Sequence, residues 1–274
     1  MDDTVQFAHS WLRRWELGWV MLAAVVGLCM IPVSLGQIGI SWDMLNHHIY
    51  LGWTAEHPRF DRDYLAASYQ AYQFPYLYWP VYKLAVGGAS GVTAGIVLAL
   101  LHLVSVPPVW LLARVCIPGE QWFDVGMRAV AVAVAFSSGV VLSLFDSTSN
   151  DLMAAAPLVW AVAIAFLPMD SHQSRWLTVD KAVALSGLFA GISVAFKLSN
   201  APLAILLPLI WLLHAGAFGA RVKRLVWGGL ATMAGFVLTY GYWGWQLWVH
   251  FGNPVYPFFD PQFAPLRELL GWVG

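Results

Sequence analysis

The fold is decided by the stretch LGWVMLAAVVGLCMIPVSL, which runs from Leu17 to Leu35 and is the first long apolar run of the chain. A helix needs about 20 mostly apolar residues to cross a bilayer, and this run has that length. Arg13 and Arg14 precede it, but the start of the chain, Met1-Asp2-Asp3, lacks the basic residues of a cleaved signal peptide. We therefore predict an uncleaved first membrane span.

The composition of the whole chain agrees with a membrane protein. Of its 274 residues, 59% are hydrophobic and 11% are charged, whereas a soluble domain has roughly 45–50% apolar and about 25% charged residues. The formal net charge of -1 gives no reason to expect nucleic acid as a partner, because bulk phosphate binding requires a basic surface. We predict one all-α integral membrane domain over residues 1–274.

Seven apolar segments can be proposed as membrane spans. They are Leu17–Leu35, Val92–Val115, Met127–Leu144, Leu152–Leu167, Ala182–Phe196, Ala201–Ala217 and Leu225–Val249. Alternation from a cytoplasmic N-terminus leaves nine of the 14 lysines and arginines inside, and the outer five are Arg59, Arg62, Lys83, Lys197 and Arg267. This asymmetry obeys the positive-inside rule, so we expect the N-terminus to be cytoplasmic.

Two of these segments carry residues that predict their packing. Pro107 and Pro108 lie inside the second segment, where a missing N–H and a ring clash should kink or break the helix. Gly187 and Gly191 lie four residues apart in the fifth, a spacing that lets a neighbouring helix approach closely.

The segment from Gly36 to Gly91 is the longest one without a predicted span. It contains twelve Trp, Tyr and Phe residues, and Trp and Tyr favour the headgroup level of a bilayer. We predict an extracytoplasmic first loop, residues 36–91, that lies along the membrane as two or three amphipathic helices.

A polar stretch at the start of that loop, SWDMLNHHIY from Ser41 to Tyr50, is the first candidate site. Read as an α-helix, it places Asp43, Asn46, His47 and Tyr50 on one face. A carboxylate beside an imidazole could take a proton from a hydroxyl or hold a divalent ion, although Asp43 could equally cap a short helix. His48 points about 100° away from His47 on such a helix, so it is set aside.

The other polar candidates lie in connections on the same predicted side. Asp61 and Asp63 form a D-x-D triplet, which could hold a cation or could be an ordinary solvated charge run. Asp146, Asn150 and Asp151 join the third and fourth segments, where capping of a helix is the competing explanation.

Two further connections add a cation and an amide-rich turn. Lys197, in the sequence KLSN with Asn200, could bind a phosphate or could simply extend to the headgroups. Asn253 lies in the turn FGNPVYPFF, which could close the fold or contact a lipid chain.

These segments together resemble the GT-C superfamily of membrane glycosyltransferases, and more closely a group of uncharacterised bacterial members. The motifs that carry the resemblance are SWDMLNHHIY at 41–50, DRDYL at 61–65 with YQFP at 72–75, SNDL at 149–152, KLSNA at 197–201 and FGNPVYPFF at 251–259. The resemblance implies inverting transfer of a sugar from a polyprenyl-phosphate donor to an acceptor glycan, lipid or protein. The transfer would occur at the outer face of a bacterial plasma membrane, among its lipids.

The resemblance also implies roles for individual residues. Asp43 corresponds to the essential acid or base of the first outer loop, and Asp151, or Asp146, to a second acidic position. The residues expected to contact substrate or its phosphate are His47, Asp146, Asn150, Lys197, Asn200 and Asn253. Because the metal requirement varies within the superfamily, a Mg²⁺ or Mn²⁺ ion at Asp61 and Asp63 is an open alternative.

Relatives in that superfamily usually continue with more spans or an outer soluble domain, so the chain is expected to be a fragment, a minimal form or part of an assembly. Two other functions stay open. A transporter or flippase for a lipid-linked or polar solute would place charges near the bilayer midplane and often shows inverted repeats. A non-catalytic membrane subunit would direct its polar residues at protein instead of into a cavity.

Overall fold

The structure is a computed structural model that describes residues 3–170 and 177–272. Five of its helical segments are long and apolar enough to cross a membrane, namely Trp15–Leu35, Gly91–Cys116, Asp151–Met169, Val179–Phe196 and Phe218–Phe251. The prediction of an all-α, multi-pass membrane protein is confirmed at this level.

The helices are short in the first loop and long elsewhere. In chain order they are α1 (Asp3–Leu35), α2 (Ile49–Thr54), α3 (Trp79–Val86), α4 (Gly91–His102), α5 (Val106–Cys116), α6 (Trp122–Phe136), α7 (Gly139–Leu144), α8 (Asp151–Phe166), α9 (Val179–Phe196), α10 (Ala201–Ala204), α11 (Leu207–Leu213), α12 (Phe218–Phe251) and α13 (Asp260–Leu269). One short extended segment, β1 (Ala66–Tyr69), lies in the first loop.

The break predicted from the paired prolines is present between α4 and α5. A 3₁₀ turn at Leu103–Ser105 separates the two helices, and Pro107 and Pro108 fall in the first turn of α5. The first turn of a helix has no intrahelical partner for its N–H groups, so proline costs little there.

Two further predicted spans, the third and the sixth, are divided into shorter helices. The segment Met127–Leu144 is split between α6 and α7 at Ser137 and Ser138, where the Ser138 hydroxyl accepts a hydrogen bond from the N–H of Val141 at 3.2 Å and restarts the helix. The segment Ala201–Ala217 is split between α10 and α11 and gives way to non-helical backbone at His214. Five helical segments within the described residues therefore satisfy the length and hydropathy of a span, and the other two predicted spans stay a prediction.

The described polar contacts gather at two opposite ends of the bundle. At one end, called here the Glu16 end, Arg128 of α6 binds Glu16 of α1. At the other, called the Lys197 end, Lys197 after α9 binds Asp151 at the start of α8. The α10–α11 pair also runs between the two ends, because Asn200 bonds the carbonyl of Ala154 and His214 that of Ala165, three turns further along α8.

Helices α9 and α12 pack against each other over much of their length, and glycines let their backbones meet. Gly187 faces the backbone carbonyl of Gly228, and Gly191 faces that of Thr232, so closely that a Cβ atom at either glycine would collide with it. The close helix packing predicted from the spacing of Gly187 and Gly191 is therefore present. Only glycine, which has no Cβ atom, allows two backbones to approach this closely.

The first loop packs onto the Lys197 end through its aromatic residues. Tyr72, Phe74 and Trp243 are buried together, and the indole Nε1 of Trp243 donates to the carbonyl of Tyr72 at 3.0 Å. The loop contains α2, α3 and the extended segment β1. It is therefore a folded cover on the helix ends, with much of its aromatic surface facing protein.

A first prediction concerns the α9–α12 contact. Gly191→Ala should lower the melting temperature of the purified protein, because a methyl group forced against the Thr232 carbonyl costs about 1–3 kcal/mol through overpacking. The control is Gly229→Ala in α12, where a Cβ would meet nothing within 4 Å. That control should be neutral or slightly stabilising, since alanine is the better helix former. Equal melting temperatures for both variants in detergent would contradict the proposed backbone contact.

A second prediction concerns the buried ion pair at the Glu16 end. The Arg128 guanidinium donates to both carboxylate oxygens of Glu16 at 2.7 Å, and Trp110 also donates to Glu16, at 2.9 Å. Glu16→Gln leaves a buried guanidinium without its counter-charge, which should destabilise the fold by about 3–5 kcal/mol. Thermal unfolding measures the loss, and Lys83→Gln, which breaks an exposed pair with Glu56, should change the melting temperature far less.

Candidate active site at the Lys197 end

Lys197 and Asp151 form an accessible ion pair between two helix ends. Lys197 follows α9 with extended backbone (φ −151°, ψ 110°), and this turns its side chain away from the helix axis and toward α8. Asp151 opens α8 and contacts the Lys197 ammonium group. The two side chains are 34% and 52% exposed, so a ligand can reach both charges.

Asp43 lies beside the imidazole of His47, as the helical spacing predicts. Its Oδ1 atom is 3.7 Å from Nδ1 of His47, and the Asp43 side chain is 53% exposed whereas His47 is buried. The Nδ1 atom makes no hydrogen bond within the described chain. Burial lowers the pKa of His47; the charge of Asp43 opposes that shift and the charge of Lys197 adds to it. His47 is therefore a neutral ring near pH 7, placed within the fields of both charges.

His48 belongs to the same cluster, contrary to the α-helical wheel that set it aside. Residues Met44–His48 form a π-helical turn, which holds more residues per turn than an α-helix and changes the directions of the side chains. The Nδ1 atom of His48 lies 2.7 Å from the hydroxyl of Thr148, and its ring is 4.5 Å from that of His47. Burial, with a smaller contribution from His47, lowers the pKa of His48 to about 4.

Tyr78 connects the two histidines to the α8 side of the cluster. Its ring stacks on His48 at 4.7 Å, and its hydroxyl hydrogen-bonds the side chain of Asn150. Burial and the nearby charges of Asp151 and Asp43 raise the pKa of Tyr78, so its hydroxyl keeps its proton. We call the group formed by Asp43, His47, His48, Tyr78, Asp151 and Lys197 the Asp43–Lys197 cluster.

A cavity of about 120 Å³ lies directly beside Lys197. Its lining is mainly aromatic, with a few polar groups, and comprises Tyr72, Gln73, Phe74, Ala195, Phe196, Lys197, Leu198, Ser199, Tyr240 and Phe258. Lys197 therefore has carboxylates and imidazoles on one side and a largely apolar cavity on the other. The lining is of the kind found in ligand sites, mostly aromatic with a few polar groups, but about 120 Å³ holds only a small part of a ligand.

Three of the predicted site residues hydrogen-bond to backbone groups of the chain and so have a structural role in this arrangement. The carboxylate of Asp146 accepts from the N–H of Gly39 at 2.9 Å, and the amide of Asn200 donates to the carbonyl of Ala154 at 3.0 Å. Asn253 is buried within its turn, where it donates to the carbonyl of Phe258 and accepts from the N–H of Val255, both at 3.0 Å. These contacts hold their own turns and helix ends in place. The carboxylate that meets Lys197 is that of Asp151, whereas Asp146 bonds the backbone of Gly39.

The D-x-D aspartates lie in the first loop, where arginines neutralise them. Asp61 contacts Arg62 at 3.3 Å and Asp63 contacts Arg59 at 3.3 Å, and the hydroxyl of Tyr50 reaches Asp63 at 3.5 Å. Within residues 3–170 and 177–272, no group of three His, Cys, Asp or Glu side chains is arranged to hold a metal ion. A cation at Asp61 and Asp63 stays a prediction.

One buried imidazole near the cluster was not among the residues singled out from the sequence. His102, at the end of α4, is 1% exposed, and its ring lies 5.5 Å from that of Phe145. Neither ring nitrogen makes a hydrogen bond of good geometry in the described chain, although the backbone of Ser149 lies close by. The sequence signal for His102 was a single histidine inside an apolar run. No such signal marked Tyr78 or Thr148, because the residues that they contact are distant in the sequence.

No protein-family model, curated protein or solved structure matches this chain. What the protein does is therefore inferred from the Asp43–Lys197 cluster itself and from the sequence resemblance described above.

A third prediction follows from the neutral state of His48. The folded protein resists protonation of this ring down to about pH 4, whereas an unfolded chain accepts the proton at the ordinary histidine pKa of 6.5. Keeping this ring neutral costs no stability above pH 6.5, but the folded state loses stability relative to the unfolded state as the pH falls from 6.5 toward 4, by at most about 3 kcal/mol.

The measurement compares melting temperatures between pH 7.5 and pH 5. The His48→Gln variant should show a flatter dependence on pH than the wild type, because it has no proton to bind at this position. His57→Gln, a change at an exposed histidine of the same loop, should keep the wild-type dependence. A wild-type slope in the His48→Gln variant would show that His48 is not held neutral.

Proposed function

We propose that the protein is a glycosyltransferase that moves a sugar from a polyprenyl-phosphate carrier to an acceptor hydroxyl at the outer face of the plasma membrane. One observation supports this most strongly: the charged side chains of Asp43, Asp151 and Lys197 belong to one accessible cluster at a single end of an apolar bundle. An aromatic cavity lies beside that cluster. The end of a bundle is where a lipid with a polar head presents that head.

Lys197 suits the phosphate of such a donor. A fixed ammonium group stabilises the negative charge that develops on a departing phosphate, and Lys197 is partly exposed beside the cavity. Before a donor binds, Asp151 supplies the counter-charge. When the donor phosphate takes that place, the leaving group and its stabilising cation are in contact.

Asp43 suits the removal of a proton from the acceptor. Inverting transfer requires a base that draws the proton from the attacking hydroxyl on the face of the sugar opposite the phosphate. Asp43 is an exposed carboxylate, and its neighbour His47 carries no competing charge near pH 7. The bond from the sugar carbon to the acceptor oxygen forms as the bond to the phosphate oxygen breaks, and the acceptor proton passes to the carboxylate.

The proposed topology has the Lys197 end outside a bacterial plasma membrane and the N-terminus in the cytoplasm. The five long helices and the two divided segments α6–α7 and α10–α11 would then make seven crossings. The acceptor, which would be a glycan, a lipid or a protein, would approach from outside. A Mg²⁺ or Mn²⁺ ion at Asp61 and Asp63 would be an addition to this mechanism and not a requirement of it.

The distribution of polar groups favours the enzyme over the two other functions. A non-catalytic subunit would direct its polar residues at protein, as Asn200 and Asn253 do, but Asp43 and Asp151 are about half exposed. A transporter would place charged groups near the bilayer midplane. Here the charges that could handle substrate lie at the helix ends.

A fourth prediction tests the catalytic role of Asp43. Purified protein is incubated with a panel of radiolabelled polyprenyl-phosphate sugars, and release or transfer of the sugar is followed. Asp43→Asn should lower the rate by about 10²–10⁴-fold, since the amide cannot take the proton. Lys197→Gln should also lose most of the activity.

The matched control is Glu56→Gln, an exposed carboxylate of the same loop that contacts Lys83 and Trp79 and is not part of the cluster. It should keep the wild-type rate. Turnover at the wild-type rate by Asp43→Asn would contradict the role of Asp43 as the base. Turnover at the wild-type rate by Lys197→Gln would contradict the role of Lys197 in binding the phosphate.

A further inference from the structure

A groove between α9 and α12 opens at the Glu16 end, opposite the Asp43–Lys197 cluster. It encloses about 340 Å³ and is lined by Asp180, Lys181, Ala184, Lys223, Arg224 and Trp227. We propose that this groove binds an anionic phospholipid, with the phosphate of the headgroup at the basic residues and the start of an acyl chain deeper in the groove. The inference is independent of the proposed glycosyltransferase activity.

The charge of the groove is suited to an anion. Three of its lining side chains are cations and one is a carboxylate. Asp180 contacts Lys223 at 2.8 Å and Arg224 at 3.4 Å, so a single negative charge is shared between two positive ones. Lys223, Arg224 and Asp180 together carry a net positive charge that an anionic headgroup would neutralise.

The two cations on α12 differ in how they are held. Arg224 is buried, and its Nη1 donates to the carbonyls of His214 and Ala215 at 3.0 Å, so it is fixed as part of the wall. Lys223 is 58% exposed and has a flexible side chain that can follow a ligand. One rigid and one mobile cation, side by side, suit a phosphate that sits against protein on one side and water on the other.

The lining changes from charged to apolar along the groove, as a lipid does. Ala184 lies one helical turn beyond Lys181 on α9, and Trp227 lies one turn beyond Lys223 on α12, each about 5 Å further from the helix ends. Trp227 is exposed, as is Leu230 one turn deeper. A tryptophan at this depth is typical of the boundary between headgroups and acyl chains. A soluble phosphate would make no use of these apolar residues.

Another polar cavity at the Glu16 end lacks these properties. It measures about 240 Å³ and contains Arg114 and Arg128, but each arginine already has a carboxylate at 2.7 Å, Asp170 for one and Glu16 for the other. Its cations are matched one to one by acids. An anionic lipid is therefore expected in the α9–α12 groove in preference to this cavity.

The fifth prediction is tested by native mass spectrometry of the full chain in detergent, titrated separately with phosphatidylglycerol and phosphatidylcholine. The wild type should bind phosphatidylglycerol the more tightly. Lys223→Gln should weaken that binding about fivefold, which corresponds to about 1 kcal/mol for one lysine near an anionic lipid. Its effect on phosphatidylcholine should be small.

The matched control is Arg221→Gln, which removes the same charge from the same helix outside the lining of the groove. It should keep the affinity for phosphatidylglycerol within about twofold, and melting temperatures confirm that both variants are folded. Equal losses for the two variants would overturn the proposal, because they would show attraction to net charge alone. Equal binding of both lipids by the wild type, or displacement of the lipid by an equal concentration of soluble glycerol phosphate, would also overturn it.

Discussion

The close approach of α9 to α12 is the contact on which the rest of the structure depends. Gly187 and Gly191 let the backbone of α9 lie directly against the carbonyls of Gly228 and Thr232. α9 in turn packs on α8, which carries Asp151 at its first residue. The position of Lys197, at the end of α9, is thus set by glycines that lie two to three turns away from any proposed chemistry.

The polar groups at the two ends of the bundle differ in how they are paired. At the Glu16 end, Arg128 of α6 pairs with Glu16 of α1, and Arg114 of α5 pairs with Asp170, which follows α8. At the Lys197 end, Asp151 is paired with Lys197 and Asp43 lies beside the neutral His47, and both carboxylates remain about half exposed. Unsatisfied charge at a helix end is expensive unless water or a ligand solvates it, and this is the physical basis for locating the candidate site there.

Local patterns predicted the helical class, the break before the paired prolines, the glycine contact and the proximity of Asp43 to His47, because each depends on residues close together in the sequence. The place of His48 was not predictable in this way. It depends on a π-helical turn and on Thr148, a hundred residues away. The division of the third and sixth apolar segments was missed because hydropathy does not register a serine cap such as Ser138.

The ion pair between Asp151 and Lys197 also acts as a filter on what can occupy the cluster. A ligand that takes the place of Asp151 at the Lys197 ammonium group has to displace a carboxylate that is already in contact and carries a full negative charge. A neutral sugar or an alcohol offers no such charge and leaves the pair closed, whereas a phosphate can replace the carboxylate. Once displaced, Asp151 becomes a second free acid within reach of the same ligand. The pair therefore favours an anion over a neutral molecule at this position of Lys197.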